Sequence, residues 1–310
     1  MAACCTPKRS DAAQPVGEPV ALMAAGAAPS RDLVSIPACE FLMGNEGPDA
    51  VQGDGEGPAR RVSLSAFSIA AAALTNREFG DFVRATRYVT EAERSGYSFV
   101  FFLQVHAEIR ARSRQMATGM PWWLAVEDAS WQRPEGAGTH IYERLDHPAV
   151  HVAWNDAQAY CAWAGVRLPT EAEWECAARG GLEGRRFPWG DELMRKGEPR
   201  CNIWRGSFPN GPAEGWQPGT NSAASGEVNG YGLLNTCGNV WEWCADWFHP
   251  EYHLSTAAKD PLHVVATGHR SMRGGSFLCH DSYCTRYRVA SRHSNTPASA
   301  ASNVGFRVAR

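Results

Sequence analysis

The sequence predicts an irregular, loop-rich fold of α+β type, in which short helices and short strands are separated by long segments without regular structure. The 310 residues include 30 Gly and 19 Pro, which interrupt regular elements, and 12 Trp, which are large enough to anchor loops to a core. Residues 180–271 show little hydrophobic periodicity and are dominated by Gly, Asn, Pro and Trp. So long an irregular stretch needs something besides core packing to hold it, and bound ions are one candidate.

Composition limits the classes of protein that the chain can represent. Hydrophobic residues make up 44% and charged residues 20%, so the chain can fill a core. The formal net charge of −3, without a long basic run, predicts no nucleic acid and no membrane as partner, and no apolar run is long enough to span a bilayer. The ten cysteines are scattered and residues 19–28 resemble a signal segment only faintly, so we expect a reduced, cytoplasmic protein.

The chain divides into a tail and one domain. Residues 1–31 are rich in Ala, Pro and Gly and predict a flexible tail, whereas residues 32–310 predict a single domain. Three helix starts carry the capping-box pattern, in which two side chains three residues apart satisfy first-turn backbone groups. They are Thr75–Glu78, Asn155–Gln158 and Thr170–Glu173, with Gly165 and Gly180 as C-caps of the second and third helices. Short strands are predicted at Val62–Leu64, Val150–Val152, Ser271–Arg273 and Phe306–Val308.

The strongest chemical pattern lies between Arg273 and Arg288. This segment reads R-G-G-S-F-L-C-H-D-S-Y-C-T-R-Y-R and places the thiols of Cys279 and Cys284 five positions apart. Thiolates are soft donors that suit Cu(I), Zn²⁺ or a disulfide. Zinc sites normally repeat a tighter pair, so the spacing alone leaves a disulfide, buried free thiols and a metal or redox site all open.

Several segments together resemble the formylglycine-generating enzyme (sulfatase-modifying factor) family. They lie at residues 36–44, where Cys39 replaces a Gly of the family pattern, and at residues 147–156, 167–175, 235–243 and 305–307. A wider group of the same fold shares the central and C-terminal signatures. The more specific element is G-G-S-x-x-C-x-x-x-x-C followed by R-Y-R, because non-catalytic relatives lack the cysteine pair. The chain therefore resembles the active branch.

The resemblance implies an irregular α+β fold of C-type-lectin type and a defined activity. That activity is the copper- and O2-dependent oxidation of a cysteine to Cα-formylglycine, within a C-x-P-x-R sequence of an unfolded or nascent sulfatase polypeptide. Cys279 and Cys284 would bind a single Cu(I). The catalytic site would also contain Ser276, Trp241, Tyr283 and Arg286. A monomer is expected.

Three further residues match family positions that bind substrate, namely Arg292, Asn303 and Ser98. Structural alternatives stand beside these assignments, since Trp241 can be core and the arginines can pair with loop carboxylates. His280 is as consistent with an exposed or supporting role as with a catalytic one.

Recognition of the substrate arginine is where the chain departs from its family. Some relatives carry acidic residues near positions 70–73 and 97–98 that are proposed to pair with that arginine. This chain has four alanines at 70–73 and Tyr97. We expect recognition to be weaker or to come from other groups.

The family also implies two structural Ca²⁺ sites, since Ca²⁺ binds carboxylate, amide and carbonyl oxygens. One would use the side chains of Asn235 and Glu242 with the carbonyls of Gly238 and Val240. The other would use Asn202, Glu214 and the carbonyls of Ile203 and Trp216, with Glu214 at a position where Asp is usual.

Two other functions match part of the pattern. A non-catalytic, lectin-like module that binds peptide or carbohydrate would share the fold, but the cysteine pair argues against it. An iron-dependent sulfoxide synthase would share the central signature, but it needs a His cluster and the chain has no H-x3-H-x-E pattern.

The tail contains a C-x-P-x-R sequence of its own at Cys5-Thr6-Pro7-Lys8-Arg9. Coincidence, or metal scavenging by the Cys4–Cys5 pair, is the plain explanation. The alternative is that the tail presents Cys5 to the site at high effective concentration. On that reading Cys5, Pro7 and Arg9 form a self-substrate or a pseudo-substrate.

Overall fold

The computed structural model describes residues 6–9, 32–51, 53–113, 116–117 and 119–310. Of the tail predicted at 1–31, only residues 6–9 lie within this part of the chain, so its predicted flexibility and Cys5 lie outside the described residues. The described helices and strands are short and are joined by long loops, which confirms the predicted α+β, loop-rich class.

The described residues form six α-helices, none longer than 11 residues. Among these residues no helix is long and apolar enough to cross a membrane. The helices are α1 (Asn76–Thr86), α2 (Glu91–Ser95), α3 (Ala107–Arg112), α4 (Trp154–Ala164), α5 (Glu171–Arg179) and α6 (Tyr252–Ser255), with 3-10 turns at Phe102–Gln104 and Tyr142–Arg144.

Fifteen strands in the described ranges form several small sheets. They are β1 (Leu33–Ile36), β2 (Cys39–Met43), β3 (Arg60–Leu64), β4 (Phe67–Ala70), β5 (Tyr97–Phe101), β6 (Met116–Ala117), β7 (Met120–Glu127), β8 (Met194–Arg195), β9 (Glu198–Pro199), β10 (Gly206–Ser207), β11 (Gly211–Pro212), β12 (Trp241–Trp247), β13 (Arg270–Arg273), β14 (His293–Asn295) and β15 (Val304–Gly305). The largest sheet has the order β14-β13-β12-β15, and a second has the order β5-β7-β6. β1-β4, β2-β3, β8-β9 and β10-β11 are antiparallel pairs.

Two of the three predicted helix starts are confirmed and one is displaced. Thr75 and Thr170 cap α1 and α5 with the full capping box. α4 begins earlier than predicted, because Ala153 is its N-cap and donates its backbone N–H to Asp156 Oδ2 at 2.8 Å. The predicted Asn155–Gln158 pair therefore lies inside the helix.

Two of the four predicted strands are not strands. Val62–Leu64 and Ser271–Arg273 lie within β3 and β13, as expected. Residues 150–152 form no strand because His151 at their centre has φ of 58°, a left-handed conformation that breaks an extended backbone. Residues 306–308 form no strand either, and the neighbouring β15 instead pairs in parallel with β12.

The loops are held by aromatic anchors and by buried ion pairs. Five tryptophans are completely buried, which agrees with the predicted aromatic anchoring, and so are four arginines. Arg307 pairs with Glu242, and Arg273 pairs with Glu175 on α5. A buried arginine is tolerated only when its charge is paired and its donors are satisfied, so these pairs fix segments that are distant in sequence. The arginines are Arg273, Arg288, Arg292 and Arg307.

Candidate active site

The cysteine motif begins where β13 leaves the largest sheet. Gly275 has φ of 74°, and a Cβ there would stand 2.8 Å from the carbonyl oxygen of Arg286 and from Cα of Tyr287. Only glycine allows this close approach. The Gly-Gly pair thus folds the start of the motif directly against its end, which brings Cys279 and Cys284 together.

Cys279 and Cys284 form a pair of buried, reduced thiols. Their Sγ atoms are 3.6 Å apart, well beyond the roughly 2.05 Å of a disulfide. The backbone N–H of Ser276 points to Cys279 Sγ at 3.4 Å, and Nη1 of Arg286 lies 3.9 Å from Cys284 Sγ. Both donors stabilise negative charge on sulfur, so the surroundings favour thiolate ligands.

Arg286 is held in place by a carboxylate from a distant loop. Asp54 accepts from Nη2 of Arg286 at 3.1 Å and from its Nε. Burial raises the pKa of Asp54, although Arg286 counteracts that rise. In the same loop, Glu56 pairs with Arg288 through two hydrogen bonds of 2.7 Å. Arg286 and Arg288 therefore pair with loop carboxylates, which was the structural alternative considered for the motif arginines. Arg286 in addition lies next to the sulfur of Cys284.

Ser276 lies beside Cys279 and is linked through Asn303 to Trp241. Asn303 Nδ2 donates to Ser276 Oγ at 3.0 Å, and the Asn303 carbonyl accepts the backbone N–H of Trp241 at 2.9 Å. The ring of Trp241 packs against His293 with centroids 5.2 Å apart. The buried indole N–H of Trp241 has no hydrogen-bond partner within the described residues.

A narrow, mostly apolar cavity adjoins Cys279. Tyr283 stacks on Phe208 with centroids 4.4 Å apart and contacts the edge of Trp122 at 5.2 Å. The space between these side chains is too narrow for a water molecule, so the lining shields Cys279 from solvent. Its lining consists of Trp122, Trp123, Phe208, Ser276, Leu278, Cys279 and Tyr283.

Two residues predicted to bind substrate are held by hydrogen bonds within the fold, and their role toward substrate stays a prediction. Arg292 is fully buried and donates to both carboxylate oxygens of Glu171, at 2.7 and 2.8 Å. Its Nη1 donates to three backbone carbonyls, so its donors are already used within the fold. Ser98 is also fully buried, with Oγ 3.1 Å from the Ala300 carbonyl and 2.8 Å from His151 Nδ1.

A groove at the site holds residues 6–9 of the chain itself. The Thr6 hydroxyl lies 3.1 Å from His293 Nε2 and accepts from Asn295 Nδ2 at 3.2 Å. Asn295 Nδ2 also donates to the Pro7 carbonyl at 2.9 Å. Because His293 packs on Trp241, this groove borders the thiol site.

Arg9 occupies a pocket at the other end of the groove. Its guanidinium donates to the carbonyls of Glu91 at 3.0 Å and Tyr97 at 2.7 Å and to the hydroxyl of Ser95. It also lies over the Tyr97 ring, 4.8 Å from the centroid. Burial lowers the pKa of Arg9, and Tyr97, Glu91 and Asp156 counteract this.

The groove residues were not predicted from the sequence. The available signal is the polar run at 291–299, which has no periodicity. Several of its members are nonetheless buried in the structure, which is unusual unless they bind something. The buried members include Ser294, Asn295, Thr296 and Ser299.

A second thiol pair lacks the character of the first. Cys39 and Cys176 have Sγ atoms 3.3 Å apart. Burial, together with the neighbouring Cys39, raises the pKa of Cys176, and burial raises that of Cys161 to about 12. The Cys176 and Cys161 thiols therefore stay protonated at neutral pH and are poor metal ligands.

The residues predicted to bind Ca²⁺ make other contacts. Glu242 accepts from Arg307 Nε at 2.5 Å and Nη2 at 2.8 Å, and from Trp174 Nε1 at 2.7 Å. Asn235 donates to loop carbonyls, including Ala223 at 3.0 Å. Asn202 donates to the Gly219 carbonyl at 2.9 Å, and Glu214 is exposed. The carboxylate of the first predicted site is thus already neutralised by arginine.

The fold and the buried thiol pair define a loop-rich α+β domain with a redox-capable, low-coordination sulfur site. The family model described as the sulfatase-modifying factor enzyme 1-like domain matches residues 20–310. The formylglycine-generating enzymes of Thermomonospora curvata and Streptomyces coelicolor are 52% and 54% identical, over 90% of this chain and 93% and 89% of their own lengths. The chain belongs to the sulfatase-modifying factor (formylglycine-generating) family.

More distant likenesses show how widely the fold is used. The inactive Cα-formylglycine-generating enzyme 2 of Bos taurus is 43% identical over 90% of this chain and 87% of its own length. The solved structure of PvdO from Pseudomonas aeruginosa has a TM-score of 0.64 and 25% identity, and the match covers 90% of this chain and 94% of that one. Because an inactive relative shares 43% sequence identity, overall similarity does not establish catalytic activity, which depends on the residues of the site.

Proposed function

We propose that the protein oxidises a cysteine of a sulfatase polypeptide to Cα-formylglycine at Cys279 and Cys284, using Cu(I) and O2. The observation that carries the proposal is the buried pair of thiols at Cys279 and Cys284, 3.6 Å apart and flanked by cationic and backbone donors. A C-x-P-x-R sequence is the proposed recognition motif of the sulfatase. The site is complete within one chain, so a monomer is sufficient.

The donor set fits copper better than zinc. The described residues contain no cluster of three or more His, Cys, Asp or Glu side chains that could hold a metal. Structural zinc needs four ligands, whereas Cu(I) is soft and accepts few. Cys279 and Cys284 would hold the ion. When bound, Cu(I) supplies the redox chemistry that couples cysteine oxidation to reduction of O2.

The chain's own residues prepare the site for this reaction. The Ser276 N–H and the Arg286 guanidinium stabilise the sulfurs as anions. The Ser276 hydroxyl, oriented by Asn303, is a hydrogen-bonding group next to Cys279. The closely packed apolar lining beside Cys279 leaves no room for a water molecule and would shield reactive species from solvent.

The non-catalytic alternative, a lectin-like binding module, is favoured less. A module that only binds needs no buried pair of free thiols with charge-stabilising donors. A reducing, cytoplasmic environment is part of the proposal, and it would keep the thiols of Cys279 and Cys284 available for the reaction.

Peptide turnover tests the proposal. A C-x-P-x-R peptide is incubated with copper-loaded protein, O2 and a thiol reductant, and the aldehyde is measured. Cys279→Ser and Cys284→Ser should each lose more than nine-tenths of the activity and the stoichiometric binding of Cu(I). Cys39→Ser, which changes a thiol outside the site, should retain both. Full activity in both site variants would refute the proposal.

Structural Ca²⁺ is proposed with a restricted ligand set. Because Arg307 already neutralises Glu242, a Ca²⁺ ion near Asn235 would depend on the amide of Asn235 and the carbonyls of Gly238 and Val240. We expect Glu242→Gln to cost about 3–5 kcal/mol, through loss of a buried pair, with and without Ca²⁺. A cost confined to Ca²⁺-containing buffer would instead make Glu242 a ligand.

A further inference from the structure

Residues 6–9 occupy the groove in the way that a bound polypeptide would. Thr6 and Pro7 are buried, and Asn295 binds the Pro7 carbonyl as a partner binds the backbone of an extended peptide. The backbone N–H of Arg9 donates to Ser299 Oγ at 3.1 Å. These contacts join positions nearly 290 residues apart in sequence, so they are tertiary contacts and not a local turn.

The residues of the C-x-P-x-R motif differ in their contacts with the groove and in their exposure to solvent. Arg9, at the arginine position, has three oxygen acceptors and a ring face. Pro7, at the proline position, is enclosed and needs no N–H partner. Lys8, at a variable position, is exposed, and its ammonium group lies 3.0 Å from His269 Nε2. Within the described residues 6–9, the groove thus binds the proline and arginine of the C-x-P-x-R pattern and leaves Lys8 in solvent, and it also buries Thr6 at the other variable position.

We propose that this groove is the substrate groove occupied in cis, and that Cys5 is a modification site which the protein's own Cys279–Cys284 centre converts to formylglycine. The inference rests on the proposed function. Cys5 is the residue before Thr6, and Thr6 contacts His293, which packs on Trp241 beside the thiol site. In the sequence, the cysteine of the motif directly precedes the described segment at its Thr6 end, which is the end that contacts His293.

The reaction balances with O2 and a thiol reductant. The Cβ–S bond of Cys5 breaks, a C=O bond forms, and the sulfur leaves as hydrogen sulfide. O2 accepts four electrons, two from Cys5 Cβ and two from a pair of reductant thiols that become a disulfide. One Cys5 thiol, one O2 and two reductant thiols thus give one aldehyde, one hydrogen sulfide, one disulfide and one water.

Tethering makes reaction in cis efficient. Residues 10–31 connect the bound segment to the domain, and 22 residues can span at most roughly 70 Å. A short tether gives an effective concentration on the order of millimolar. An added substrate must therefore displace the tail, and its apparent affinity falls by the fraction of time the groove is occupied.

The primary test is peptide mapping of the full-length, copper-loaded protein after incubation with O2 and a thiol reductant. Cys5 should be converted to the aldehyde, and the adjacent Cys4, which is out of register with Pro7, should remain a thiol. Arg9→Ala should slow conversion at least roughly tenfold, and the matched variant Lys8→Ala should stay within about twofold. The observed first-order rate constant should not depend on protein concentration, and a rate constant that rises in proportion to concentration would place the reaction in trans and overturn the proposal.

A second readout does not require activity. A labelled peptide with Ser in place of the motif cysteine is titrated into metal-free protein, and Arg9→Ala should bind it roughly tenfold more tightly than wild type because the groove is vacated. Equal affinities would overturn occupancy in cis. If an added C-x-P-x-R peptide is oxidised while Cys5 stays a thiol, this inference fails and the proposed function stands. If neither is oxidised, both fail.

Discussion

Arg286 links Asp54 to Cys284, with its Nη2 3.1 Å from the Asp54 carboxylate and its Nη1 3.9 Å from the Cys284 sulfur. Asp54 and Arg286 are 232 positions apart, so a loop near the start of the domain sets the charge at the thiol site. The carboxylate orients the guanidinium, and the guanidinium stabilises the sulfur anion.

Replacing Asp54 tests this link. In Asp54→Asn the guanidinium loses a charged partner, and we expect kcat/KM for a peptide substrate to fall roughly tenfold or more, because hydrogen bonds to charged groups contribute about 1.5–3 kcal/mol. Cu(I) affinity should fall as well. Asp191→Asn, which breaks an exposed pair with Arg185, is the matched control and should leave both quantities within about twofold. Unchanged copper affinity in Asp54→Asn would contradict the link.

Gly275 offers a test of how the motif is folded. Gly275→Ala places a Cβ 2.8 Å from the Arg286 carbonyl at a positive φ, and the clash should separate the two ends of the motif. Gly96→Ala has a similar φ of 72° and meets nothing within 4 Å, so it measures the conformational cost alone, about 1–2 kcal/mol. We expect Gly275→Ala to lower the free energy of unfolding by more than this control and to abolish stoichiometric copper binding. Equal costs would mean that the approach of the two backbones is unimportant.

The sequence is sufficient to predict the cysteine pair because the chemistry there depends on residue type and local spacing. Ser276, Trp241 and Asn303 were likewise suggested by matches to motif positions, and their roles stay predictions. Asp54 and His293 could not be found in this way, since each acts through a contact with residues distant in the chain. The ion pair between Arg292 and Glu171 could not be found in this way either, because a match to a motif position does not reveal the partner of a side chain.

In the secondary structure, too, features set by local sequence were predictable and features set by distant contacts were not. Capping boxes at Thr75 and Thr170 are local and were predicted correctly. The strand expected around His151 was wrong because its left-handed backbone conformation is imposed by tertiary contacts, including the hydrogen bond between the ring and the Pro134 carbonyl. The buried arginine pairs, rather than periodicity, hold the irregular half of the domain.

Glu175 predicts how stability depends on pH. Burial would raise its pKa, but Arg179 and Arg273 outweigh burial and hold the pKa at about 2. A carboxylate with a depressed folded pKa stabilises the fold above its unfolded value near 4.5 and loses this contribution as pH falls toward 2. The contribution is roughly 3 kcal/mol, most of it lost by about pH 3. Urea unfolding from about pH 7 to about pH 3 should show the loss, and Glu175→Gln should be less stable near neutral pH but less sensitive to acid. A parallel pH profile in the variant would contradict the assignment.

The pocket that holds Arg9 predicts the selectivity for peptide substrates. Two of its acceptors are backbone carbonyls, at Glu91 and Tyr97, arranged for a planar guanidinium with several donors. A lysine has a single ammonium group and cannot reach both carbonyls, the Ser95 hydroxyl and the ring together. We expect a C-x-P-x-K peptide to have a kcat/KM at least roughly tenfold lower than its C-x-P-x-R counterpart, mainly through KM.

Tyr97→Leu removes the ring but keeps the carbonyl, so it should lower kcat/KM for the arginine peptide more than for the lysine peptide and narrow the ratio between the two. Tyr142→Leu changes a tyrosine that is 76% exposed and should leave the ratio as it is. Equal use of both peptides by the wild type would mean that substrate arginine binds elsewhere.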